Sequence, residues 1–359
     1  MQPIHSLHDF FERSGAEVWL YHLGRRVEPC SMATLAAFEA GEQPWPLPWQ
    51  GQARLGLVFR LAGVDDPLIW FLALPLDEQG LLVPAPRDAF VQRLLETLGR
   101  SATALDQGDG LSTNGLPVDG KAGVDNLMQD NPLAFSPSLP FQALLHARAS
   151  RDLDQPASQH LEPVEAYLSG QQDFDWQALG LQGLADFSVR MDANAALSLA
   201  KHMPTLPSQV VISLCYCLEH LEVDDNLALA LRERGEKAAQ SGDIEAFCAC
   251  VRAVSGANDA VAGAWIDALL ADPDACGPDL LAAIAARGYR HLEHAQRLPR
   301  FLERLASCDN ADFMGVARDL ALIPRLRLLV LMTLRDVSAD TAIGRRLATL
   351  TRLAGTATR

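Results

Sequence analysis

Lysine is nearly missing from this chain: Lys121, Lys201 and Lys237 are three residues among 30 basic ones. So few primary amines leave little room for Schiff-base or lysine-base catalysis. Long apolar runs are scarce as well. The most apolar segment, LRLLVLMTLRDV, is about ten residues between arginines, whereas a bilayer span needs about 20, so it reads as a core helix and no membrane span is expected. The opening MQPIHSLHDFFERSG has neither a cationic stretch nor an apolar core, and no signal peptide is expected. Seven cysteines, an odd number without a secretory signal, read as reduced thiols in a cytoplasmic protein. There is no Gly-x-Ser-x-Gly elbow, no Cys–His pattern of known spacing and no glycine-rich fingerprint after a strand. No catalytic residue, cofactor or metal is assigned.

What is present is a globular composition, with 49% apolar and 21% charged residues over 359 positions, long enough for two domains. The net charge of -15 repels phosphates, so nucleic acid is not an expected partner. The charge is uneven. From Arg318 to Arg359 eight arginines face three aspartates, +5, which leaves -20 for the rest. That basic end is read either as a landing patch or as a solvated helix face closing the chain.

Residues 1–99 alternate helix and strand signals. HSLHDFFERSG places Leu7, Phe10 and Phe11 on one helical face with Ser6 as N-cap. AEVWLYHLGRRVEPC reads as a hairpin turning at Gly24. SMATLAAFEAG is a helix capped by Ser31; ARLGLVFRLAG, PLIWFLALPL and LLVP are strands, with DEQG as a turn, and RDAFVQRLLETLG is a closing helix. The order helix, two strands, helix, three strands, helix matches roadblock- and profilin-like α+β domains, in which one antiparallel sheet lies between helices. Three prolines exclude a helix at EQPWPLPWQG. Its Trp45 and Trp49 serve either as an exposed docking strip or as a lid folded back on their own domain.

Residues 100–131 have the composition of a flexible linker. They contain GLPVDGKA, residues 115–122, close to a phosphate-binding loop. Such a loop must follow a buried strand and run into a helix. Here no apolar strand precedes Gly115, and Ala122 stands where Ser or Thr would hold magnesium. We therefore read Lys121 as a linker residue and exclude nucleotide hydrolysis.

From residue 132 to 359 the strong signals are helical, broken by Gly, Pro, Asp and Ser. Candidate N-caps at Ser208, Asp243, Asp279 and Asp312 lie 35, 36 and 33 residues apart, and Cys215 and Cys217 recur 33 positions later as Cys248 and Cys250. That period, with two helices per unit, predicts a HEAT-like α-solenoid; an irregular helical bundle is the other arrangement. The paired thiols do not make a metal site, because residues i and i+2 of a helix point about 200° apart. They read as small buried residues where helices pack closely. His291 and His294 in YRHLEHAQ share a helix face, but two ligands are too few for a metal, and a solvated face or a pair of caps is the reading.

Two polar turns of the first domain are the candidate partner-binding residues. Arg25 and Arg26 flank one; Asp77 and Glu78 open the other. Arginine pairs with carboxylates and stacks on aromatics, which suits it to interface hot spots. The other reading pairs these residues with each other as solvated turns, and adjacent carboxylates in a turn diverge too far for acid–base catalysis.

Taken together, LGRRVEP, IWFLALPLDEQGLL, PRDAFVQRLLETLG, NPLAF and YLSG…DWQALGLQGLADF resemble an uncharacterised bacterial family catalogued as a domain of unknown function. The resemblance implies that the first domain and the helices form one unit of inheritance, and it brings no activity, cofactor or catalytic residue. The expectation is a non-catalytic cytoplasmic scaffold for an unknown protein partner. The alternative is a ligand-sensing or enzymatic first domain with the helices as its scaffold, which a pocket with convergent polar groups would favour.

Overall fold

A computed structural model of the chain describes residues 4–60, 67–106, 128, 131–171 and 175–357. The chain divides into two units, Met1–Phe141 and Gln142–Arg359. A four-stranded antiparallel sheet lies in the first, and helices make up the second.

The first unit begins with α1 (Leu7–Ser14). Ser6 is extended, and its hydroxyl accepts from the Asp9 amide at 2.9 Å, satisfying one orphan donor of the helix start. Strands β1 (Glu17–Leu23) and β2 (Val27–Cys30) form the expected hairpin, with Leu23 opposite Val27. Helix α2 (Met32–Glu39) is capped by Ser31. Strands β3 (Gln52–Arg60) and β4 (Leu68–Pro75) complete the sheet in the order β2-β1-β3-β4, and α3 (Pro84–Asp106) follows. Alternation puts Leu55, Leu57 and Phe59 of β3 on the same face as Trp70, Leu72 and Leu74 of β4. There they bury against Leu7, Phe11, Leu35, Phe38, Phe90 and Leu94 from the helices. Each such side chain contributes about 1.5–3 kcal/mol.

Three expectations need correction here. LLVP forms no third strand; a single bridge joins Leu76 and Leu82, because Pro84 starts a helix, a position where proline's missing donor costs nothing. The segment from residue 100 is not all linker, since α3 runs to Asp106. The first unit also extends past residue 131. The Leu133 carbonyl accepts from the Ala73 amide at 2.7 Å, the Phe135 amide donates to Phe71, and the Leu133 side chain joins the core. Lys121 and the GLPVDGKA stretch lie outside the described residues.

The division falls within the first turn of α4 (Leu139–Asp152), and in the second unit α5 (Leu161–Leu168), α6 (Leu181–Arg190), α7 (Ala193–His202), α8 (Ser208–Leu218), α9 (Asp225–Gln240) and α10 (Ile244–Val254) follow it. A π-helical turn, Asp259–Gly263, runs into α11 (Ala264–Ala271). Then come α12 (Pro278–Arg287), a 3₁₀ turn at Tyr289–Leu292, α13 (Arg297–Ser307), α14 (Phe313–Leu322), α15 (Pro324–Arg335) and α16 (Ala342–Ala357). Helices α8, α10, α12 and α14 start 36, 34 and 35 residues apart. α10 packs between α8 and α12, α8 also touches α6, and α12 touches α14. α9 packs on α7 and α10, and α13 on α11, α15 and α16.

Asp243 and Asp312 cap α10 and α14 as expected, accepting from Ala246 at 3.1 Å and Gly315 at 2.9 Å. Ser208 and Asp279 do not cap. The residues before α8 and α12 are Pro207 and Gly277, so Ser208 and Asp279 sit inside the first turns. Among the described residues no helix is long and apolar enough to cross a membrane.

Candidate functional site

The turn expected to present Arg25 and Arg26 does not expose them: they are 0% and 1% accessible. Part of the reason is the proline-rich stretch that follows α2. A Cβ on Gly24 would come within 2.8 Å of the Trp49 Cβ, so only glycine lets the two segments touch. Trp49 lies under the Arg25 guanidinium, 5.3 Å from its ring centre. Trp45 is fully buried between His22 and Phe38, with ring centres at 4.8 and 5.0 Å. Trp45 and Trp49 thus act as a lid on their own domain. At the other turn, the Asp77 carboxylate accepts from the Gln79 and Leu81 amides at 2.8 and 2.9 Å and shapes the turn, while Glu78 is exposed.

A buried carboxylate that sequence reasoning missed ties three helices of the first unit together. Glu39, at the end of α2, accepts from the Leu7 and His8 amides at the start of α1, both at 2.9 Å. It also accepts from Arg87 of α3 at 2.8 Å. The negative charge suits the positive end of the α1 dipole. Burial opposes the charge on Arg87, but hydrogen bonds to Glu39 and Asp88 outweigh it and raise its pKa. Beside this cluster a cavity of about 620 Å³ is lined by Ile4, His5, Arg87, Asp88, Gln92 and Glu96, among others.

The second unit holds another candidate site. A groove of about 480 Å³ runs between α10 and α12, with Tyr216 of α8 at one end. Ile244, Glu245, Cys248 and Arg252 line it from α10; Asp279, Ala282, Ala283 and Ala286 line it from α12. Positions i, i+4 and i+8 on one helix and i, i+3, i+4 and i+7 on the other share a face, which is why residues of two helices converge here. The alanines keep the floor low, and Ile244 is 49% exposed.

Arg252 is the ordered polar group of this groove. Its Nε donates to Glu219 at 2.7 Å, and its guanidinium lies 5.2 Å from the Tyr216 ring centre. Glu219 is 3% exposed and is itself held by Arg287, whose Nε and terminal nitrogen reach it at 2.9 and 2.7 Å. His220 is 3.6 Å from the same carboxylate. Burial disfavours the charge on Arg252, but Glu219 outweighs this and raises its pKa. Among the described residues Arg252 makes this one side-chain hydrogen bond, so its terminal nitrogens remain available to a ligand.

Further along, the histidines of YRHLEHAQ do not share a helix face. His291 is buried in the 3₁₀ turn, with Nδ1 2.9 Å from Asp259 and Nε2 3.2 Å from the Ser255 carbonyl. His294 is exposed. Arg297 bridges Asp259 and Asp267 at 2.7 and 2.8 Å, and its hydrogen bonds are the main reason both carboxyls sit below their ordinary pKa.

The four central cysteines are buried. Cys215 lies beside Cys250, whereas Cys217 lies beside Ser188, so the two thiols of CYC face different neighbours, as helix geometry requires. Burial pushes Cys217 up to about 12 and Cys248 up to about 11. Among the described residues one group has its ligand atoms close enough to share a metal ion, His8, Asp9 and Glu12 on α1, at a partly exposed position.

The chain belongs to a protein family: the family described as "Protein of unknown function (DUF3549)" matches residues 2–351. The match confirms the resemblance carried by the quoted phrases and runs on through residues 100–131 and most of the arginine-rich end. Comparison with curated proteins finds no match, and neither does comparison with solved structures.

Proposed function

We propose that the protein is a non-catalytic interaction scaffold whose helical unit is an α-solenoid. The α10–α12 groove is its docking surface for a protein segment. The solenoid is supported by the regular starts of α8, α10, α12 and α14 and by the serial packing from α6 to α14. Stacked helix pairs of this kind expose long faces suited to protein ligands. The observation that carries the docking role is Arg252: a guanidinium fixed by a buried carboxylate, lying over an aromatic ring, at one end of a trough whose middle is alanine and cysteine. Such a group is preorganised, so it loses little freedom on binding.

The test is a photo-crosslinking amino acid placed at exposed Ala282 in the full chain, with exposed Leu229 on α9 as control. In host cells a defined protein adduct should form from position 282 and not from 229. Equal adducts from both positions, or none from 282, would refute the docking role.

The alternative, a ligand-sensing first unit, is favoured by the cavity beside Arg87, where His5, Asp88, Gln92 and Glu96 converge. A small metabolite that raises the thermal midpoint of the wild type and not of an Arg87→Met variant would support it.

A further inference from the structure

Resting on the docking role proposed above, we infer that the groove selects its occupant by charge. The occupant is an extended protein segment that sets an acidic side chain against Arg252 and a basic one against Glu245 and Asp279. Three observations carry this.

Arg252 has its Nε on Glu219 and its ring-stacked guanidinium at one end of the groove. Its planar fork then offers the terminal nitrogens in the geometry a carboxylate accepts. At the other end Glu245 and Asp279, exposed in the first turns of α10 and α12, both line the groove. Among the described residues neither is in an ion pair or a side-chain hydrogen bond, so both negative charges are unmatched. Between the two ends the floor is Cys248, Ala282, Ala283 and Ala286, which leaves room for a backbone and small side chains and holds no other charge.

Length decides between a small ligand and a chain segment. Ile244 to Arg252 is eight steps of helix, about 12 Å. A small carboxylate would engage Arg252 alone and leave most of the trough empty. An extended segment rises about 3.3 Å per residue, so it spans the distance with an acid and a base about three or four residues apart.

The experiment selects short random peptides, displayed with a blocked C-terminus, on the immobilised full chain. Peptides that also bind an Ala282→Trp variant are discarded. Ala282 is exposed, so the tryptophan fills the groove without entering the core. The groove-dependent peptides should carry Asp or Glu about three or four residues from Lys or Arg. In fluorescence anisotropy, Arg252→Gln should weaken a representative peptide about tenfold or more. A Glu245→Lys, Asp279→Lys double variant should select peptides with an acid where the wild type selects a base. Because both of its changes are on exposed helix surface, it tests the inference even where Arg252→Gln disturbs folding. Groove-dependent peptides without this charge pattern overturn the inference and leave the docking role standing. Recovery of no groove-dependent peptide overturns the docking role itself. Peptides that bind through the acid alone, with no preference at the Glu245 end, show that the groove is a simple carboxylate site and also overturn the inference.

Discussion

Replacing Glu219 with glutamine keeps the side chain's shape and removes its charge, and the structure sets the cost. Arg287 is 7% exposed at its side chain and directs two nitrogens at this carboxylate; Arg252, 19% exposed, directs one. Removing one partner of a buried ion pair costs about 3–5 kcal/mol, because the remaining charge stays desolvated. Arg252 keeps some contact with water, so the lower end applies, about 3 kcal/mol. With a urea slope of about 2 kcal/mol/M, the midpoint for the helical unit should fall by about 1.5 M. Urea titration of the full chain followed by far-ultraviolet circular dichroism reports chiefly on that unit. The Glu219→Gln, Arg287→Gln double variant should lose less stability than the sum of the two single changes, by at least about 0.5 kcal/mol. A loss below about 1 kcal/mol, or strict additivity, would refute the view that Glu219 holds these arginines.

Glu39→Gln should destabilise the first unit by about 3 kcal/mol, since it leaves buried Arg87 with exposed Asp88 as its one charged partner and turns an amide donor toward the α1 amides; unfolding followed by the emission of buried Trp45 and Trp70 would show no change if the cluster is incidental. Asp259 and Asp267 are held below the ordinary value of 3.8, so their stabilisation is complete above that value and is lost as pH falls through the depressed folded values. The urea midpoint should therefore drop in acid below about pH 4, and Arg297→Gln should flatten that limb; an identical pH profile for wild type and variant would rule the clamp out. Alkylation of the native protein at mildly alkaline pH should label half-exposed Cys308 before Cys217 or Cys248, whose thiols burial raises to about 12 and about 11; peptide mapping that finds those two labelled as fast as Cys308 would contradict their burial.

Local signals were legible in the sequence wherever they are local in physics. Ser6 and Ser31 cap their helices, the β1–β2 hairpin turns at Gly24, and Asp243 and Asp312 start α10 and α14. The failures come from tertiary cover. Arg25 and Arg26 look like exposed turn residues until a segment 25 positions later packs Trp49 against Gly24. Leu133 and Phe135 look like the start of a helical region, yet their backbone bonds with β4. The π-turn at Asp259 and the burial of His291 depend on a single ion cluster that periodicity does not encode. The groove escaped notice because its residues are spread over three helices, from Tyr216 to Ala286. A signal for it existed in the spacing of the cysteines, measured at the wrong offset.

Cys215 meets Cys250, 35 residues on, and not Cys248 at 33. The same step of 35 carries Arg252 to Arg287 and Cys248 to Ala283. Arg252 and Arg287 thus stand at equivalent places on α10 and α12, and both reach Glu219. They differ in how much of each guanidinium that carboxylate uses. Arg287 gives two nitrogens and is 7% exposed at its side chain; Arg252 gives one and is 19% exposed. An arginine stands at each place, and the one that is only partly engaged is the one that lines a groove. The two should therefore separate under substitution. Arg287→Gln should lower stability by about 3 kcal/mol, as loss of a buried partner does, and should leave selected peptides bound to the folded fraction with little change. Arg252→Gln should cost less stability, about 1–2 kcal/mol, and should remove the peptide affinity. Urea titration and fluorescence anisotropy on the same two proteins measure both quantities. If the variants lose stability and affinity in the same proportion, the groove arginine is only a second structural anchor, and recognition must be sought on another face of the helices.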